Sequence, residues 1–125
     1  MKQKAEELGI DRAVQFLGAR TDIAQLLQGF DVYCSPSLYE GLSVSMVEAQ
    51  AAGLHVVTSD KVPQQVAIIP NSISFVPLRS DADTWAETLL RAYDRVDNFK
   101  QISATGYDIR ENASNLLQLY TINRK

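Results

Sequence analysis

The sequence predicts an α/β fold with a parallel sheet of about four strands and helices on both faces. Three observations carry this. Short apolar runs alternate along the chain with helix-like patterns. Those runs are apolar throughout, as strands buried on both sides require, and do not alternate apolar with polar. Glycines fall where the helical patterns stop, at Gly9, Gly29 and Gly53.

The elements follow in order. Residues 2–8 read as a short helix ended by Gly9. Residues 14–17 form a compact apolar run before Gly18 and read as the first strand. Thr21 and Asp22 are capping residues before a helix carrying Ile23, Leu26 and Leu27. Residues 32–34 read as the second strand, followed by a Ser35-Pro36-Ser37 turn. A helix starts near Ser43 and runs to Ala52. Residues 55–58 and 73–76 supply the third and fourth strands, with a short helical turn over 63–67 between them. From Asp81 the pattern is helical, with Trp85, Leu89, Leu90 and Tyr93 on one stripe. A break near Gly106 precedes a last helix over about 108–120.

Bulk properties narrow the function classes. The 125 residues suffice for one domain with a core, and 46% hydrophobic with 22% charged residues is a globular composition. Net charge is -3 with scattered basic residues, which argues against nucleic-acid binding. A single cysteine, Cys34, excludes an internal disulfide and is compatible with the cytoplasm. No apolar run has the length of a membrane span, and the charged N-terminus lacks a signal-peptide core.

In parallel sheets ligands bind at the carboxyl ends of the strands. The loops there are residues 18–22, 35–41 and 59–63. Glu40 and Glu48 bracket the stretch EGLSVSMVE, placing carboxylates beside a helix N-terminus. Such an end has unpaired N–H groups and attracts phosphate. A carboxylate repels phosphate but accepts hydrogen bonds from sugar hydroxyls. A ligand with both phosphate and polyol groups fits that corner.

The run FDVYCSPSLYEGLSVSMVEAQAAGLHVVTSD resembles the donor-binding motif of retaining, family-4-type glycosyltransferases, whose signature glutamates are separated by seven residues, as Glu40 and Glu48 are. VQFLGARTDIAQLLQGFDVY before it is also similar, and GYDIRENASNLLQLY near the end resembles capsular and exopolysaccharide enzymes. The resemblance implies a Rossmann-like three-layer sandwich, the second domain of the two-domain GT-B architecture, with residues 1–125 as one nucleotide-sugar-binding domain. It implies that Glu40, as the catalytic residue, contacts the donor sugar. Gly41, Leu42 and Ser43 offer backbone N–H groups to the diphosphate, and Glu48 holds the ribose. Gly18, Arg20 and Asp22 lie near the base, and Ser37 joins the donor-binding set. The implied reaction moves a sugar, with retained anomeric configuration, from a UDP-sugar to a glycan or lipid-linked acceptor in polysaccharide synthesis. No metal or cofactor is expected, and the single histidine agrees. Asp81 and Asp83 read as a helix cap and first turn instead.

Family members also have an N-terminal acceptor-binding domain, and an Arg/Lys segment that neutralises the leaving diphosphate. Neither lies in these residues, so the chain is expected to be a truncated half, inactive alone, with an open sheet edge that invites dimerisation. Its implied setting is the cytoplasm, at the inner face of the membrane, with peripheral association of the full enzyme. Two alternatives stand beside this: half of a sugar-nucleotide epimerase, or a non-catalytic nucleotide-binding module. Among the remaining residues, Cys34 reads as a small buried hydrophobe, His55 as structural and Trp85 as core. Tyr39 reads equally as a cleft residue or an exposed aromatic.

Overall fold

The computed structural model describes residues 1–91 and 93–122. Helix α1 spans Lys2–Glu7, α2 Ile23–Gln28, α3 Val44–Ala51, α4 Ala82–Leu89, α5 Phe99–Ile102 and α6 Ile109–Ile122. Strands β1 (Val32–Ser35), β2 (His55–Ser59) and β3 (Ile73–Val76) form one sheet in the order β1-β2-β3. Both pairings are parallel, with Val32 opposite His55 and Val56 opposite Ile73. The α/β architecture and the parallel sheet are therefore as the sequence predicts.

The expected first strand, residues 14–17, is not formed. Residues 14–17 run between turns with no ladder partner among the described residues, and Val14, Phe16 and Leu17 are exposed. Apolar composition made the segment strand-like, but a strand exists only where a neighbour accepts its hydrogen bonds. The sheet has three strands.

Helix α3 is built on its own periodicity. Met46, Ala49 and Gln50 fall at i, i+3 and i+4, and all three are fully buried. Met46 and Ala49 join Leu27, Leu54, Val56, Val62 and Val66 in the main core, with Tyr33, Ile73 and Phe75 packed beside them. Val47 faces a second cluster with Ile69 and Ile102. The opposite sheet face meets Tyr93, whose ring stacks on His55 at 3.6 Å. The Tyr93 hydroxyl donates to the Thr88 carbonyl on α4 at 2.7 Å, and α4 lies against β3.

Gln50 is the polar centre of this packing. Its Nε2 donates to the carbonyls of Met46 and Val66 at 3.1 and 2.8 Å. Its Oε1 accepts from Ile68 N, Ile69 N and Ser72 Oγ at 3.1, 3.2 and 2.9 Å. A buried amide in such a place is tolerated because both of its ends are satisfied. Gly53 ends α3 with φ of 80°, and a Cβ there would sit 2.4 Å from the Val96 carbonyl oxygen. No other residue type fits that approach.

Two further expectations meet the structure differently. Cys34 is exposed, not buried as expected. Its thiol is nonetheless pushed up from the ordinary value by partial desolvation. The stripe after Asp81 stops early: α4 ends at Leu89, Trp85 is half-buried and Leu90 is exposed. Asp81 does cap α4, accepting from Thr84 N at 2.8 Å and Thr84 Oγ1 at 2.6 Å. These bonds hold its carboxyl below the usual range. Gly106, with φ of 87°, makes the break before α6. Along α6, Leu116, Leu117, Leu119 and Tyr120 are exposed, and no helix among the described residues is long and apolar enough to cross a membrane.

Candidate functional site

A pocket of about 390 Å³ opens between α2 and α3. Its apolar wall comes from Leu17, Ile23, Leu26, Phe30 and Tyr33. Its polar groups are Gly18 and Arg20 from the loop before α2, with Ser45 and Glu48 from α3. Gly18, Arg20 and Glu48, far apart in sequence, thus meet at one surface concavity.

Arg20 is held by Asp22. Its Nε donates to Asp22 Oδ1 at 2.7 Å and its Nη2 to Oδ2 at 2.5 Å, a two-pronged pairing. The pair raises the Arg20 pKa and lowers that of Asp22. Asp22 occupies the N-cap position of α2 as expected, but its side chain does not cap the helix. Its carboxylate is spent on the guanidinium, which is the stronger partner for it.

Glu40 lies in the loop between β1 and α3, half-buried, outside the lining of that pocket. Its Oε1 accepts from Ser37 Oγ at 2.9 Å. Ser37 Oγ is also 3.1 Å from Ser35 Oγ. The Ser59 hydroxyl donates to the Ser37 carbonyl, and Thr58 Oγ1 donates to the Ser35 carbonyl at 2.8 Å. These bonds tie the loop to the carboxyl end of β2. Two of the three expected loops, residues 35–41 and 59–63, are therefore joined directly at the sheet edge. The third, residues 18–22, reaches α3 only across the pocket, since no strand precedes it.

Gly41, Leu42 and Ser43 lead into α3. Ser43 is buried and stands at the N-cap, with its Oγ 3.1 Å from Ser45 Oγ. Nothing lies within 4 Å of where a Gly41 Cβ would be, so the backbone there is open to an approaching group. Leu42 is exposed. The predicted residues thus fall into two groups: Gly18, Arg20 and Glu48 around the pocket, and Ser37 with Glu40 beside the entry to α3. Glu40 sits in the β1–α3 connection, and Glu48 lies on α3 itself.

Sequence reasoning missed Ser45 and the apolar wall. Ser45 precedes Glu48 by three residues, which puts both on one helix face. That spacing was a usable signal. Phe30 and Tyr33 had none, because an apolar residue beside a strand reads as core. His55 and Tyr93 stack away from this pocket, and burial holds the imidazole below its ordinary pKa.

The sequence model of the family described as Glycosyl transferases group 1 matches residues 1–95. The chain is 35% identical over 127 residues to EpsF of Bacillus subtilis (strain 168), named as a glycosyltransferase, covering 98% of this chain and 33% of that protein. It is 25% identical over 120 residues to an Escherichia coli protein named UDP-Gal:alpha-D-GlcNAc-diphosphoundecaprenol alpha-1,3-galactosyltransferase, covering 91% of this chain and 31% of that one. A stretch of 48 residues is 52% identical to the Campylobacter jejuni protein named N,N'-diacetylbacillosaminyl-diphospho-undecaprenol alpha-1,3-N-acetylgalactosaminyltransferase, covering 38% of this chain and 13% of that one. The chain thus spans about a third of the length of EpsF. No solved structure matches it at a significant level. Parallel strands, the paired glutamates and the match over residues 1–95 agree: the chain belongs to the glycosyl transferases group 1 family.

Proposed function

We propose that this chain is the nucleotide-sugar-binding half of a retaining glycosyltransferase that takes a UDP-sugar as donor and a glycan or lipid-linked hydroxyl as acceptor. The observation that carries the reading is the meeting of Gly18, Arg20 and Glu48 around one pocket beside α3. In this reading Glu48 accepts hydrogen bonds from the ribose hydroxyls, and Gly18, Arg20 and Asp22 take the base side. The amides of Gly41, Leu42 and Ser43 face the diphosphate, where the helix dipole favours anions. Glu40, steadied by Ser37, contacts the donor sugar. As the bond from the anomeric carbon to the diphosphate breaks, negative charge grows on the leaving group. Fixed donors aimed at it lower the barrier. The acceptor is held by a second domain of the enzyme, working in the cytoplasm at the inner face of the membrane in polysaccharide synthesis. Two relatives whose names carry diphospho-undecaprenol acceptors support the acceptor class.

Calorimetric titration of the 125-residue chain with UDP, GDP and ADP tests this. UDP is expected to bind most tightly, and Glu48→Ala to weaken it about tenfold or more, the scale of one lost charge-assisted pair. Equal UDP binding by both proteins, or none at millimolar nucleotide, overturns the proposal.

A further inference from the structure

We infer that Arg95 is a positioning residue for the donor pocket, setting the spacing of the two helices that wall it. This rests on the donor-binding reading above. Arg95 follows α4 in a segment far along the chain, yet its guanidinium reaches back to the C-terminal ends of both α2 and α3. Nη2 donates to the Leu27 carbonyl at 2.8 Å, and Nη1 donates to those of Gln28 and Phe30 at 2.8 and 3.3 Å. Nε and Nη2 donate to the Ala52 carbonyl at 3.0 and 2.8 Å. Carbonyls at a helix end have no partner within the helix. One cation therefore satisfies carbonyls at two helix ends and complements both dipoles.

The two ends that Arg95 joins belong to the groove that holds the pocket. α2 supplies Ile23, Leu26 and Leu27, and α3 supplies Ser45 and Glu48. A smaller cavity of about 230 Å³ continues the groove toward Arg95, and Leu27 and Glu48 line both spaces. The segment at Arg95 and Val96 lies against Gly53, just past the end of α3, so closely that only glycine fits there. A six-residue helix such as α2 is marginal on its own and takes its order from what it is tied to. A planar fork with five donors can span carbonyls from two helices, whereas an ammonium is a point charge on a flexible stem. Shifting α2 moves the apolar wall relative to Glu48.

Amide NMR of the 15N-labelled chain tests this with Arg95→Met and Arg95→Lys. Without nucleotide, Arg95→Met is expected to shift the amides of Ile23–Gln28 and of Ser45 and Glu48, while Val57 and Phe75 in the sheet hold. With UDP added, its Kd is expected to rise about fivefold to tenfold, with Arg95→Lys between it and the wild type. Asp81→Ala, which uncaps α4 away from the groove, is expected to lower the melting temperature without changing Kd. Should Arg95→Met unfold, Arg95→Lys carries both readouts. Unmoved α2 amides overturn the inference, as does an unchanged Kd. A wild-type chain that binds no UDP overturns the donor reading and Arg95's role in it. Apo amide shifts that still appear in the variants mark that failure as one of the donor reading, distinct from failure of the clamp.

Discussion

Ser72 Oγ donates to Gln50 Oε1 at 2.9 Å, joining the helix that carries Glu48 to the segment that enters β3. The same hydroxyl oxygen lies 2.8 Å from the Ile69 carbonyl oxygen, so its single proton is shared between two acceptors within a closed polar set. Gln50→Leu keeps most of the volume but leaves the Ile69 amide without its acceptor, while the Ile68 amide keeps the Val66 carbonyl at 2.9 Å. The expected loss is about 3 kcal/mol of unfolding free energy in urea, against about 1 for Ser72→Ala. The double mutant should lose less than the two single losses combined, because both changes break the same bond. Strict additivity would show that the network does not act as one.

Gly53→Ala is expected to cost more than its size suggests. The backbone there has φ of 80°, and the added methyl carbon meets the Val96 oxygen at 2.4 Å. Strain and overlap together should cost about 2 kcal/mol or more, read as a lowered urea midpoint at constant slope. The same substitution at Gly41, which has open space and no positive φ, should change stability by less than about 0.5 kcal/mol.

Acid should weaken the fold in the histidine range. Burial holds His55 below its ordinary value of 6.5, so the unfolded chain binds the proton first as pH falls. The stability tied to neutral His55 is complete above about pH 7 and declines as pH drops through the ordinary value toward the folded one. His55→Phe keeps a ring against Tyr93 and removes the titration. Melting temperatures across this window should fall for the wild type and flatten for the variant. Parallel curves for both would exclude His55 as the source.

Cys34 should be open to reagents but slow to react at neutral pH. It is exposed, while desolvation raises its thiol above the usual value of 9.0. The alkylation rate with iodoacetamide should therefore climb with a midpoint above that value, since the thiolate is the nucleophile. A full rate at pH 7 would show an activated thiol instead.

Legibility in the sequence followed the reach of the interactions. The strands at Val32, His55 and Ile73 were readable because apolar runs between glycine and helix signals specify buried strands. Asp81 was readable as a cap because its partner, Thr84, is three residues away. Residues 14–17 misled, because strand identity depends on a neighbour and composition cannot report one. Gln50 was hidden differently. Its helical position marks the buried face, but an amide there reads as polar and outward until Ile68, Ile69 and Ser72 are seen around it. Glu40 and Glu48 stood out through their spacing, yet only coordinates show Glu48 with Arg20 and Glu40 with Ser37. Arg95 carried no signal at all, since its partners lie 43 to 68 residues earlier in the chain.

The order β1-β2-β3 repeats the order of synthesis, and partners across each ladder lie only roughly 20 residues apart along the polypeptide. Closing such short crossovers costs little entropy, and the cost grows slowly with length. A nascent chain can thus complete the whole sheet by Val76, before α4, α5 and α6 are available. Folding that starts there gives the later helices a finished surface on which to settle.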